Sequence, residues 1–231
     1  MSGADHIFVD RHDAGRRLAI ALAPFASSRS LILALPRGGV PVAFEIAKAF
    51  GAQLDIILVR KIGAPHNPEY GIGAVAYGDG VFTFIQDEAV RELAIPSAYV
   101  EARKADLLAE IERQRQLYLG DREAVPTRGR EVVLVDDGIA TGSSVRAALN
   151  AVHASGASRI VLAVPVAPKS AVAALRGEVD ELVCLASPGN FQAVGLYYSD
   201  FRQTTDNEVI GLLREAAAQG SEERQGDPHG G

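Results

Sequence analysis

Two adjacent carboxylates, Asp136 and Asp137, stand between the apolar run Val132-Val133-Leu134-Val135 and a small, hydroxyl-bearing segment, Gly138-Ile139-Ala140-Thr141-Gly142-Ser143-Ser144. Ionised aspartates side by side repel each other, and neither is buried cheaply without a partner. Such a pair calls for hydroxyl groups or a cation, and a ribose 2′,3′-diol with bound Mg²⁺ meets that demand. The segment after the acids precedes the Ala-rich apolar run Val145 to Val152. It therefore opens a helix whose free N–H groups and positive dipole end favour an anion. Gly142 lets the backbone approach closely, and the Thr and Ser hydroxyls add donors. Taken singly, each piece has a plainer reading, with Asp-Asp-Gly as a turn and Ser143 or Ser144 as a helix cap. Strand, acid pair and hydroxyl-rich helix start together argue for a site. The string is neither a P-loop nor a dinucleotide fingerprint, since it lacks the glycine order of both and the lysine of the first.

The elements that must position these groups follow from periodicity. Val132 to Val135, β-branched apart from Leu134, suits a strand covered on both faces of a parallel sheet, so the acids emerge at its carboxyl end. Upstream, Asp13 caps a helix from Ala14 to about Phe25, and Ser30 to Leu35 reads as a strand. That strand stops at Pro36-Arg37-Gly38-Gly39-Val40-Pro41, a helix follows over Val42 to Phe50, and Leu54 to Val59 is the next strand, completing a right-handed βαβ unit. From Arg60 to Gly80 the composition shifts to Gly, Pro, Asn, His and Tyr. This predicts a long loop grading into short strands at Gly73 to Tyr77 and Val81 to Ile85. Ser97 to Leu119 is a charged helix, Arg159 to Val164 and Glu181 to Leu185 are further strands, and the polar tail from Gln219 onward reads as disordered.

The stretch Val132 to Ser144 resembles the signature of the type I phosphoribosyltransferases, which bind 5-phosphoribosyl 1-diphosphate. The resemblance assigns the ribose hydroxyls to Asp136 and Asp137, and the 5′-phosphate to Ala140, Thr141, Gly142, Ser143 and Ser144. It implies an α/β fold with an open, mostly parallel sheet, helices on both faces and a small hood lobe. The span from about Phe8 to Arg214 resembles a bacterial group of these enzymes without an established acceptor. On that footing residues 8–214 form a single domain, with a hood from about 8–26 and 187–214, and residues 215–231 form a disordered tail.

Phosphoribosyl transfer breaks the bond from C1 to pyrophosphate through a transition state with oxocarbenium character, so cations must offset the leaving group's charge. Arg37-Gly38-Gly39 resembles the family's pyrophosphate loop, where unusual peptide geometry is common, and Arg60-Lys61 resembles its basic pair. Arg37 and Lys61 join the two acids as the catalytic candidates. His66 is the candidate donor to pyrophosphate from a loop that closes over the site, with Asn67, Tyr70 and Glu69 beside it. Outside this context, Arg37 reads as a surface turn and Arg60-Lys61 as solvated charges. Mg²⁺ is expected on ribose and pyrophosphate oxygens plus water, with no direct protein ligand. Ala140 stands where 6-oxopurine salvage enzymes carry an aspartate, which argues against hypoxanthine and guanine as acceptors. Among Pro188, Phe191, Tyr197, Tyr198 and Phe201, the rings of Phe191 and Tyr198 are the candidates to stack on a planar base, plain packing being the other reading.

The chain has 231 residues, 48% of them hydrophobic and 23% charged, with a net charge of −6. That balance excludes a general nucleic-acid or anionic-membrane binder, because phosphate surfaces select for excess Lys and Arg. The one cysteine, Cys184, excludes an internal disulfide and a Cys-based zinc cluster, and lies in an apolar run as a core thiol. Without a signal pattern at Met1 to Asp5 or a run near the ~20 apolar residues of a membrane span, the cytoplasm is the expected compartment. The expected partners are 5-phosphoribosyl 1-diphosphate and a small-molecule acceptor, with a homo-oligomer possible, and no nucleic acid or membrane. The competing reading on the same fold is a non-catalytic sensor of phosphoribosyl diphosphate or a nucleotide. A repressor would need a DNA-reading helix pair or a basic face, and neither is visible.

Overall fold

The structure is a computed structural model that describes residues 6–225. In chain order the elements are α1 (Arg11–Leu22), β1 (Leu31–Ala34), α2 (Gly39–Phe50), β2 (Gln53–Ile56), β3 (Leu58–Ala64), β4 (Asn67–Tyr77) and β5 (Val81–Ile85). They continue with α3 (Asp87–Glu92), α4 (Ser97–Leu119), β6 (Glu131–Val135), α5 (Ser143–Ser155), β7 (Arg159–Val166), α6 (Lys169–Leu175), β8 (Glu181–Ala186) and α7 (Asp206–Gln225). Five strands form an open parallel sheet in the order β2-β1-β6-β7-β8.

Strand alternation divides the core into two layers. Ile32, Ala34, Val133, Val135, Val161 and Ala163 pack with residues of α1, α2, α4 and α7. Leu31, Leu33, Val132, Leu134, Ile160 and Leu162 point the other way and pack with α5 and α6. Successive Cβ atoms of a strand leave on opposite faces, so an unbroken apolar run such as Val132 to Val135 needs helices on both sides. The α/β class read from the sequence is the observed one. Among the described residues, no helix is long and apolar enough to cross a membrane.

Four expectations are corrected. The strand read over Leu54 to Val59 is two strands: β2 ends at Ile56, the Ile57 N–H donates to Ala34 O at 2.9 Å, and β3 then leaves the sheet. The strands read at Gly73 to Tyr77 and Val81 to Ile85 are present, but the loop read before them from Arg60 is mostly strand as well; β3, β4 and β5 build a three-stranded antiparallel sheet. Its glycines serve close strand approach, since a Cβ on Gly63 or Gly73 would collide with backbone of the neighbouring strand. α1 starts at Arg11 and is capped by Asp10, whose Oδ1 accepts the Asp13 N–H at 2.7 Å, while Asp13 Oδ2 accepts the Val9 N–H at 3.1 Å. Residues 215–225 continue α7 instead of forming a disordered tail. Val209 and Leu213 bury its inner face, α7 contacts α2 and α4, and Glu and Ala at 215–218 favour helix. Residues 226–231 lie outside the described residues.

The segment before α1 meets the segment after β8. Ile7 and Phe8 donate to Tyr197 O, and Ser199 and Asp200 donate back to Phe8 and Val9 carbonyls, so a short parallel bridge joins the two. This places Arg11 and the stretch Val194 to Arg202 beside the carboxyl end of β6.

Candidate active site

The acids follow β6 directly, and two neighbours press on them. β1 pairs in parallel with β6, so the turn after β1 and the acids after β6 leave the same sheet edge side by side. A Cβ on Gly39 would lie 2.7 Å from Val135 O, and one on Gly38 would overlap the Asp137 carboxylate. Glycine is therefore required at both positions by contact with the acid strand. α2 begins at Gly39, with Gly38 as an N-cap that offers no side chain. The Gly39 N–H bonds Leu35 O at 3.0 Å, and among the described residues the Gly38 N–H has no protein acceptor. The Pro36–Arg37 peptide is cis, the kind of geometry that the resemblance implied for this loop.

The two acids differ in partners. Asp136 Oδ1 accepts the Asp137 backbone N–H at 2.9 Å. Asp137 Oδ2 accepts Arg11 Nε at 2.8 Å, and the Asp137 carbonyl accepts the Tyr198 hydroxyl at 2.6 Å. Burial, then the charge of Asp137, pushes the Asp136 carboxyl well above the ordinary carboxylate range. Burial raises Asp137 too, with Arg11 pulling the other way. Among the described residues, these bonds engage Oδ1 of Asp136 and Oδ2 of Asp137. Sequence reasoning missed Arg11; the Asp10-Arg11-His12-Asp13 cluster carried a helix-start signal, but nothing local ties residue 11 to residue 137.

The turn from Ala140 to Ser144 leads into α5 as expected. Gly142 has φ +79°, and among the described residues no side chain caps the first N–H groups of the helix. Thr141 Oγ1 and Ser143 Oγ are 3.1 Å apart, and Lys61 Nζ lies 3.4 Å from Ser143 Oγ. Lys61 therefore stands at the turn before α5. Arg60, one residue earlier on β3, faces away: its guanidinium bonds Glu110 Oε1 at 3.0 Å and Gln114 on α4. Strand alternation separates the expected basic pair, and Arg60 leaves the pyrophosphate set.

The remaining candidates spread more widely. Arg37 points toward Asp206 at the start of α7, 3.7 Å away. His66 lies in the exposed turn between β3 and β4, and lines a cavity of about 300 Å³ with Pro65, Tyr70, Leu93, Ile95 and Pro96, away from the acid pair. The Glu69 side chain lies outside the described residues. Tyr198 is buried between Phe8 and Phe201, with ring centroids at 5.3 and 5.0 Å, so it props up Asp137 and is not a stacking surface. Phe191 is half-buried and stacks on Tyr197 at 5.5 Å. Cys184 is a half-buried thiol raised by burial, its Sγ donating to Ala186 O at 3.1 Å. Val194 packs onto Gly138, where a Cβ would lie 2.5 Å from its Cγ1. This brings the stretch after β8 over the acid-bearing turn.

Among the described residues no His, Cys, Asp or Glu cluster could hold a metal by itself. The donor set nevertheless suits Mg²⁺, since among the described residues Asp136 makes no ion pair, the Arg11 charge reaching it only from beside Asp137, and Mg²⁺ prefers substrate oxygens and water to an all-protein cage.

The phosphoribosyl transferase domain family matches residues 14–200. Two Mycobacterium tuberculosis proteins, one from strain CDC 1551 and one from strain H37Rv, carry provisional names as phosphoribosyl transferases. Each is 44% identical over 226 residues, a match that takes in 96% of this chain and 51% of theirs. The chain thus spans about half the length of these relatives. Among solved structures, that of TT1426 from Thermus thermophilus shares 44% identity with a TM-score of 0.78, covering 90% of this chain and 98% of that one. With the acid strand, the glycine loop and the uncapped helix start in place, the chain belongs to the phosphoribosyl transferase domain family.

Proposed function

We propose that the chain binds 5-phosphoribosyl 1-diphosphate and transfers its ribose 5-phosphate to a nitrogenous base or related acceptor, releasing pyrophosphate. The observation that carries this reading is the contact of Gly38 and Gly39 with Asp136 and Asp137. It sets diol acceptors against a loop with a free N–H, while the uncapped start of α5 offers a second anion site from the same strand. A sugar with a phosphate at C5, a diol at C2 and C3 and a pyrophosphate at C1 presents those groups in that order.

In this reading Asp136 and Asp137 accept the ribose 2′- and 3′-hydroxyls. The N–H groups of Gly142 to Val145 and the hydroxyls of Thr141 and Ser143 hold the 5′-phosphate, with Lys61 beside them. Gly38 donates to the pyrophosphate, and Arg37 swings from Asp206 to offset its charge. The C1–O bond breaks with its electron pair leaving on pyrophosphate, an acceptor nitrogen lone pair closes on C1, and the proton displaced from that nitrogen passes to water. Bound Mg²⁺ would neutralise pyrophosphate charge, with Asp136 supplying the negative charge that keeps it in the site. Ala140 brings no carboxylate to the loop, so acceptors other than 6-oxopurines are expected.

The test mixes the protein with labelled 5-phosphoribosyl 1-diphosphate, Mg²⁺ and a panel of bases, and follows pyrophosphate. Release with one base supports transfer. Donor binding without release from any acceptor favours a sensor, and no donor binding overturns both.

A further inference from the structure

Asp136 and Asp137 are neighbours in the chain but not equals in the site. Arg11 and Asp137 form an ion pair with side chains only 11% and 15% exposed. The same guanidinium donates from Nη1 to Arg202 O at 2.7 Å and lies 4.0 Å over the Phe201 ring. Its own start on α1 is fixed by the Asp10 cap. Contacts to two separate stretches, from a helix start that is itself capped, thus orient a planar cation at one oxygen of one acid.

We propose that Arg11 is a positioning residue for donor binding: it holds the Asp137 carboxylate in the orientation that faces the ribose and offsets its charge. This inference rests on the proposed function. Without a cation beside them, two adjacent carboxylates share a proton or rotate apart, and either change spoils a pair of diol acceptors. Arg11 relieves that repulsion from the protein side, leaving Asp136 as the acid balanced by the ligand's own cation. A guanidinium suits the place because it stacks on Phe201 in its plane while donating to two acceptors from its edge, which an ammonium does not do. The neighbouring basic side chains are engaged elsewhere, Arg202 with Asp200 at 2.8 Å and His12 with Glu45 at 2.8 Å. Because Phe201 and Arg202 follow β8, seating of that stretch and orientation of Asp137 are one event.

The experiment compares affinity for ribose 5-phosphate with affinity for 2,3-dideoxyribose 5-phosphate, which keeps the phosphate and lacks the diol. Wild type, Arg11→Met and Arg11→Lys are measured by calorimetric titration, with thermal melting alongside. The expected result is a preference for the diol in the wild type that falls about tenfold in Arg11→Met and only partly in Arg11→Lys, whose ammonium keeps the charge without the planar fork, with dideoxy affinity unchanged throughout. A diol preference untouched in Arg11→Met would overturn the inference alone. So would equal weakening toward both compounds with no rescue by Lys, since that marks a merely structural arginine. Failure of the wild type to bind 5-phosphoribosyl 1-diphosphate and ribose 5-phosphate would overturn the proposed function, and this inference with it.

Discussion

A Cβ placed on Gly38 would lie 2.5 Å from Cγ of Asp137 and nearer still to its Oδ2. Asp137 cannot yield easily, because Arg11 holds its carboxylate and Tyr198 its carbonyl. Gly38→Ala must therefore displace the loop. Overpacking of this size costs about 1–3 kcal/mol, so donor affinity should fall on the order of tenfold or more. Titration of 5-phosphoribosyl 1-diphosphate with Mg²⁺ measures it; an unchanged affinity would mean that the glycine loop and the acids do not hold the same ligand.

The acids should respond differently to loss of charge. The raised Asp136 carboxyl stabilises the folded chain below the ordinary carboxylate pKa of about 3.9, and that contribution is lost as pH rises through the higher folded value. At pH 7 keeping this carboxyl buried is thus a net cost to the empty protein, and Asp136→Asn should raise the melting temperature while weakening donor binding. Asp137→Asn should lower it, since Arg11 is left mostly buried and unpaired, at about 1–3 kcal/mol. Melting curves at pH 5 and pH 7 decide: a fall in both variants would remove the asymmetry argued for the pair.

Much of this arrangement was legible in local sequence, and the rest was not for identifiable reasons. Val132 to Val135 announced a doubly covered strand because burial on both faces leaves no polar position, and Thr141 to Ser144 announced a helix start because the run after it is apolar. The turn at Gly38 was visible as a turn, though its contact with Asp137 was a property of strand order. Arg60 and Lys61 were read as one unit, and only the pairing of β3 with β4 shows that they serve opposite faces. Gly63 resembles a loop glycine because lack of a Cβ suits close strand approach as well as turns. Arg11 carried no signal, since its partner lies 126 positions away.

That parity gives a paired test. Lys61→Met removes the ammonium beside Ser143 and should weaken binding of ribose 5-phosphate by about 10- to 100-fold, the scale of a charge-assisted contact. Arg60→Met breaks a partly exposed link to Glu110 and Gln114, and should cost at most about 1 kcal/mol of stability with phosphate affinity unchanged. Titrating both variants with ribose 5-phosphate separates them. Equal losses would show that β3 is not oriented as described.

Tyr198 offers the sharpest separation between support and recognition. Burial, then the charge of Asp137, raises its phenol far above the usual range, so across working pH it is a protonated donor to the Asp137 carbonyl. Tyr198→Phe keeps the ring against Phe8 and Phe201 but leaves that carbonyl without its donor, a loss of about 1 kcal/mol. For a chain of this length that is a fall of roughly 2–4 °C in melting temperature. Donor affinity should drop only a few-fold, through a loosened acid strand, and the choice of acceptor should not change. Phe191, half-buried on the surface of the same stretch, is the ring whose removal could alter that choice. Acceptor profiles for Tyr198→Phe and Phe191→Ala check this, and a switch of preferred base in Tyr198→Phe would return its ring to the acceptor site.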